Sequence, residues 1–105
     1  MPLLRLATSR DADADLEEIF EYTSRNWTHS QAEQYLGNIR ACFRRLREYP
    51  QLESIRSELH SQIRCAPVRE HRVFYLIRES DIYIVRVLHA RVDVNVVLAE
   101  AQSDD

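Results

Sequence analysis

The apolar positions keep helical spacing through the first half of the chain and switch to strand-like density in the second. Leu3, Leu4 and Leu6 open as a short apolar stretch, and Ser9 precedes acids at Asp11, Asp13, Asp15, Glu17 and Glu18. Acids suit the positive end of a helix dipole, and Leu16, Ile19, Phe20 and Thr23 follow the i, i+3, i+4, i+7 spacing of one buried helical face. A strand and then a Ser-capped helix are predicted. The pattern breaks from Asn26 to Ser30, where Ser30 with Glu33 forms a capping box for a second helix and Thr28 with Gln31 an alternative cap. Ala32, Tyr35, Leu36, Ile39, Cys42, Phe43 and Leu46 then make a continuous apolar stripe, and Pro50 stops the helix after Tyr49. The pair reads as an antiparallel helical hairpin, with Trp27 as a staple between its arms.

From Gln51 to Ser61 the sequence has little periodicity and reads as a connection, with room for one helical turn near Ser57. Ile63, Cys65 and Pro67 then alternate with polar or small residues, and the proline suits an edge strand. Val73 to Ile77 and Ile82 to Leu88 are dense in β-branched and aromatic residues and flank Glu79, Ser80 and Asp81 as a tight turn. A short apolar stretch, Val94 to Ala99, and a polar tail follow. The expected fold is α+β: an N-terminal strand, a helical hairpin, a three-stranded antiparallel sheet and a short C-terminal segment. Two helices cover one sheet face only, yet Tyr83, Val85 and Val87 are expected on one face and Ile82, Ile84 and Leu88 on the other. The C-terminal segment, a second copy of the chain or a partner peptide is needed to cover the remaining face.

Composition narrows the function. At 105 residues and 45% apolar content the chain is read as one domain, residues 1–105. No apolar run approaches the roughly 18 residues of a membrane span, and the N-terminus lacks a secretory-signal pattern, so a cytoplasmic protein with no membrane association is expected. Cys42 and Cys65 form no CxxC pair, so neither a disulfide framework nor a zinc site is signalled, and both are expected as reduced structural thiols. The net charge of −3 argues against bulk attraction to nucleic acid. It is unevenly spread: Asp11 to Glu21 holds six acids and no base, whereas Arg56 to Arg91 holds seven arginines against four acids.

Asp15-Leu16-Glu17-Glu18-Ile19, Trp27, Tyr49-Pro50 and the strand pair recur in an order that resembles the ParE and RelE toxin superfamily. The ParE branch is suggested by DLEEIFEYTSRNW at Asp15 to Trp27, QAEQYL at Gln31 to Leu36, VFY at Val73 to Tyr75 and RVLHARVD at Arg86 to Asp93. Two departures stand out: Thr28 replaces the usual glycine after the tryptophan, and Leu52 to Leu59 lacks a common glycine. The resemblance implies a toxin that inhibits DNA gyrase by binding and is neutralised by a ParD-type antitoxin, with no catalytic residue, metal or cofactor and no direct specific nucleic-acid binding. The antitoxin is expected to lay an amphipathic segment on the helical hairpin and a sheet edge. Candidate contacts are Phe20, Tyr35 and Ile39 on the hairpin, and Arg72, Arg86, His89 and Arg91 on the terminal strands.

The RelE branch supplies the rival, a ribosome-dependent ribonuclease in which His71, Arg72, His89 and Arg91 hold phosphate and move protons. An interaction module without toxicity is the third class. Arg86 lies among Val85, Val87 and Leu88, where a buried guanidinium needs a carboxylate or carbonyl partner. Glu17, Glu18 and Asp93 are the expected structural partners, and anchoring an antitoxin carboxylate is the functional alternative. Tyr75 and Tyr83 are expected in core or sheet-face packing.

Overall fold

Ser9 joins the first strand to the first helix through one side chain: its hydroxyl accepts the Ala12 N–H at 2.9 Å and donates to the Val85 carbonyl at 2.6 Å. The computed structural model describes residues 3–59, 62–95 and 97–98. Strand β1 spans Arg5–Thr8, helix α1 Arg10–Asn26 and helix α2 His29–Glu48. Strands β2 (Arg64–Val68), β3 (His71–Ile77) and β4 (Asp81–His89) follow. Of the two caps predicted for α2, Thr28 is used: its hydroxyl accepts the Gln31 N–H at 3.0 Å. Only Trp27 and Thr28 separate the helices, so α2 folds back along α1. Trp27 does not staple them; it is 65% exposed.

The four strands form one mixed sheet in the order β1-β4-β3-β2. The three terminal strands are antiparallel as expected, while β1 adds to the far edge, parallel to β4, with Leu6 opposite Ile82. Both helices pack on one face. Ile19, Leu36, Ile39, Phe43 and Leu46 meet Val73, Tyr75, Ile82 and Ile84 there, each buried side chain contributing about 1.5–3 kcal/mol.

A bulge corrects the predicted alternation in β4. Phe74 pairs with Arg86 and Tyr75 with Ile84, which leaves Val85 as an extra residue. Beyond it the faces exchange: Val87 joins Ile82 and Ile84 under the helices, and Leu88 joins Tyr83 and Val85 on the opposite side. That second face is covered by Leu59 and Ile63 from the α2–β2 connection and by Val94, Val97 and Leu98, against Phe74, Val85 and Leu88. Residues 94–95 and 97–98 are helical. The C-terminal segment, aided by the connection, therefore takes the place that a twin chain or partner peptide was expected to share; Ala99 and the tail lie outside the described residues. Among the described residues no helix is long and apolar enough to cross a membrane.

Candidate functional site

The hairpin overhangs the end of the sheet where β3 begins and β4 ends, leaving an open groove of about 1060 Å³. Its floor follows from one carboxylate on the buried stripe of α1. Asp15 lies in line with Ala12 and Ile19, and its side chain takes two hydrogen bonds from Arg86, Nε at 2.7 Å and Nη2 at 2.8 Å, and a third from the Val87 N–H at 3.0 Å. The pair is largely desolvated, with side-chain exposures of 19% for Arg86 and 8% for Asp15. The Asp15 hydrogen bonds raise the Arg86 pKa further above its ordinary value, against a smaller opposing effect of burial. Arg86 is thus held by Asp15 rather than by Glu17, Glu18 or Asp93, and its forked donors are committed within the chain.

One wall is a polar chain between α2 and the sheet. The Tyr35 hydroxyl lies 2.6 Å from His71 Nδ1 and accepts the Glu70 N–H at 3.2 Å. These bonds are satisfied together when Tyr35 donates to His71, which places the neutral ring's proton on Nε2. The His89 ring stands edge-on to His71 with centroids 5.4 Å apart, and its Nδ1 accepts the Arg91 N–H at 3.1 Å. Burial first, and then the neighbouring His89, push the His71 pKa below its ordinary value, while Glu70 and Asp15 pull the other way. Burial raises the Tyr35 pKa. Tyr22, Trp27 and Val92 are exposed apolar groups along the groove, interspersed with Glu18, Glu21, Arg25 and Arg69.

The candidates from sequence divide around this groove. Tyr35, Arg86 and His89 line it. Ile39 is 0% exposed and belongs to the core, so it is corrected from a partner contact to a packing residue. Phe20 lines a separate small cleft with Glu33, Leu36 and Arg40, edge-on to the His29 ring. Arg72 pairs with Leu88 in register and shares the sheet face of Phe74, opposite to that of His71 and Val73. Arg91 is exposed in the turn after β4. The four residues required by the ribonuclease reading thus do not converge. Sequence reasoning missed Asp15 as the partner of Arg86 and Glu70 as part of the wall. A carboxylate at the i+3 position between Ala12 and Ile19 was an available signal for the first; the second depends on a turn that carried none. Among the described residues no three His, Cys, Asp or Glu side chains gather to hold a metal ion.

Residues 6–94 match the profile of a family described as ParE toxin of type II toxin-antitoxin system, parDE. The chain is 36% identical over 92 residues to Toxin ParE1 of Mycobacterium tuberculosis, covering 87% of this chain and 94% of that protein. It is 33% identical over 91 residues to Toxin ParE of Escherichia coli, covering 86% and 88%. A chain in a solved structure described as "Chromosomal ParDE TA system from P. aeruginosa" superposes with a TM-score of 0.72 at 19% identity, covering 83% of this chain and 96% of that one, a likeness of fold.

Proposed function

The chain belongs to the ParE toxin family of type II toxin-antitoxin systems, and from that membership we propose that it arrests growth by binding DNA gyrase and is silenced by a ParD-type antitoxin. Residues 1–105 act in this reading as one cytoplasmic toxin domain. The toxin holds its target by differential affinity, favouring one gyrase state over the others. The observation that favours binding over phosphodiester cleavage is the separation of Arg72 from His71 and His89 across the sheet. Cleavage needs a cation and proton-transfer groups converging on one phosphate. A groove with exposed Tyr22, Trp27 and Val92 beside mixed charges suits an amphipathic helix or strand, and we assign the antitoxin segment to it.

The deciding measurement compares gyrase supercoiling with ribosome-dependent mRNA cleavage for the same purified protein. Loss of supercoiling without mRNA cleavage is expected. Cleavage that disappears in His89→Ala would overturn the reading in favour of a ribonuclease. Expression alone is expected to arrest growth, with rescue by the antitoxin. Trp27→Ala, at a position exposed enough to spare the fold, should weaken antitoxin binding by about 2 kcal/mol or more in a titration, as removal of an aromatic anchor does.

A further inference from the structure

The β2–β3 turn consists of Arg69 and Glu70, and Arg69 sits at φ 54°, in the left-handed region that a residue with a Cβ occupies at a cost of roughly 1–2 kcal/mol. Two contacts hold that turn against the strain. The Glu70 carbonyl accepts the Ala90 N–H at 2.8 Å, and the Glu70 N–H donates to the Tyr35 hydroxyl. In this orientation the Tyr35 hydroxyl accepts from Glu70 while its own proton is delivered to His71 Nδ1. The turn, helix α2 and the start of β3 are therefore tied through one hydroxyl, and Arg69, Glu70, Tyr35 and His71 all line the groove.

We propose that the Tyr35–His71 hydrogen bond is a proton-operated latch on the β2–β3 turn, fixing one wall of the groove while His71 is neutral and releasing it when His71 is protonated. Protonation converts Nδ1 from acceptor to donor, so the Tyr35 proton loses its acceptor and must swing away while the oxygen turns to the charged ring. Of its two N–H donors the longer one, Glu70 at 3.2 Å against 2.6 Å for His71, is released. The charged groups facing His71 are Asp15 from α1, Arg69 and Glu70 from the turn, and His89 and Arg86 from β4, with Tyr35 on α2. Asp15 is already committed to Arg86 and the Val87 N–H, which limits its support for an imidazolium. Burial and His89 oppose the charged ring. The latch makes no demand on the identity of the partner. Its consequence, that acid loosens the grip on an antitoxin segment, rests on the functional reading above.

The test uses the full free chain. His71 ring shifts and the hydrogen-exchange protection of the Glu70 amide are followed by NMR from about pH 7.5 to about pH 5.5, the range in which a histidine switch acts. Protection at Glu70, corrected for intrinsic exchange, should fall about tenfold as His71 titrates, the loss of one hydrogen bond. His71→Asn, which offers an acceptor near the position of Nδ1 and does not titrate, should keep protection high at both ends. Tyr35→Phe should lower it at both ends. A flat profile in the unmodified chain, or a pH dependence removed by His89→Gln and not by His71→Asn, overturns the latch. Failure of the functional reading shows itself elsewhere, as absent growth arrest or absent rescue.

Discussion

Asp15 is the buried carboxylate among the described residues, and three donors converge on it. Asp15→Ala leaves the Arg86 guanidinium and the Val87 N–H without a partner, and the expected loss is about 3–5 kcal/mol in a urea unfolding experiment. Asp15→Asn keeps an acceptor and should lose less. Ser24 offers the reverse case, since its buried hydroxyl has no partner among the described residues. Ser24→Ala removes an unsatisfied group and improves helix propensity, so a gain of about 0.5–1.5 kcal/mol is expected from the same measurement. His71 adds a pH dependence to stability. Its folded pKa lies below the ordinary value, so the unfolded chain binds the proton more readily. The stabilisation it gives is complete above the unfolded value, about 6.5, and is lost as pH falls through the folded one. The urea midpoint should therefore drop on acidification across that window, and His71→Asn should flatten this part of the profile.

At the scale of elements, the two helix caps resemble each other in sequence and differ in consequence. Thr28 closes an exposed helix end, and Thr28→Ala should cost about 1 kcal/mol. Ser9 also satisfies the Val85 carbonyl at the bulge, so Ser9→Ala should cost up to about 2 kcal/mol, read as a larger drop in melting temperature. The helices were legible because their apolar stripes run for several turns between recognisable stops. The parity of β4 was not, because a single extra residue at Val85 exchanges the faces of everything after it and leaves no mark in composition. The cover on the second face was half-legible. Val94, Val97 and Leu98 have helical spacing, but a pattern this short is outweighed by any loop reading. Leu98 is 2% exposed, and Leu98→Ala should cost about 2–5 kcal/mol and raise binding of an apolar dye to the uncovered sheet.

For the whole molecule, the open surface lies beside the hairpin and not on the sheet face. An uncovered sheet face was the sequence-based argument for a waiting partner, and the chain covers that face itself. The groove that remains open was foreshadowed only in pieces. Tyr35, Arg86 and His89 are residue types suited to contacts, whereas Trp27 between two helices reads from sequence as a staple. What brings Trp27, His71 and Arg86 to one opening is tertiary: a two-residue link, a bulge and the overhang of the hairpin. None of these has a local signature that spacing alone reveals.

The pairing of β1 with β4 has a bearing on synthesis. Ser9 and Val85 meet across 76 residues, and β1 finds its sheet neighbour in β4, the last strand among the described residues to be made. At roughly 5–20 residues per second, a ribosome takes several seconds to travel between them. Throughout that interval the first strand has no edge to join, and closing so wide a loop places the step among the slower classes of folding event. The sheet is thus completed only after β4 has cleared the exit tunnel, so a nascent or prematurely terminated chain lacks the finished groove and the protein's surface is assembled last.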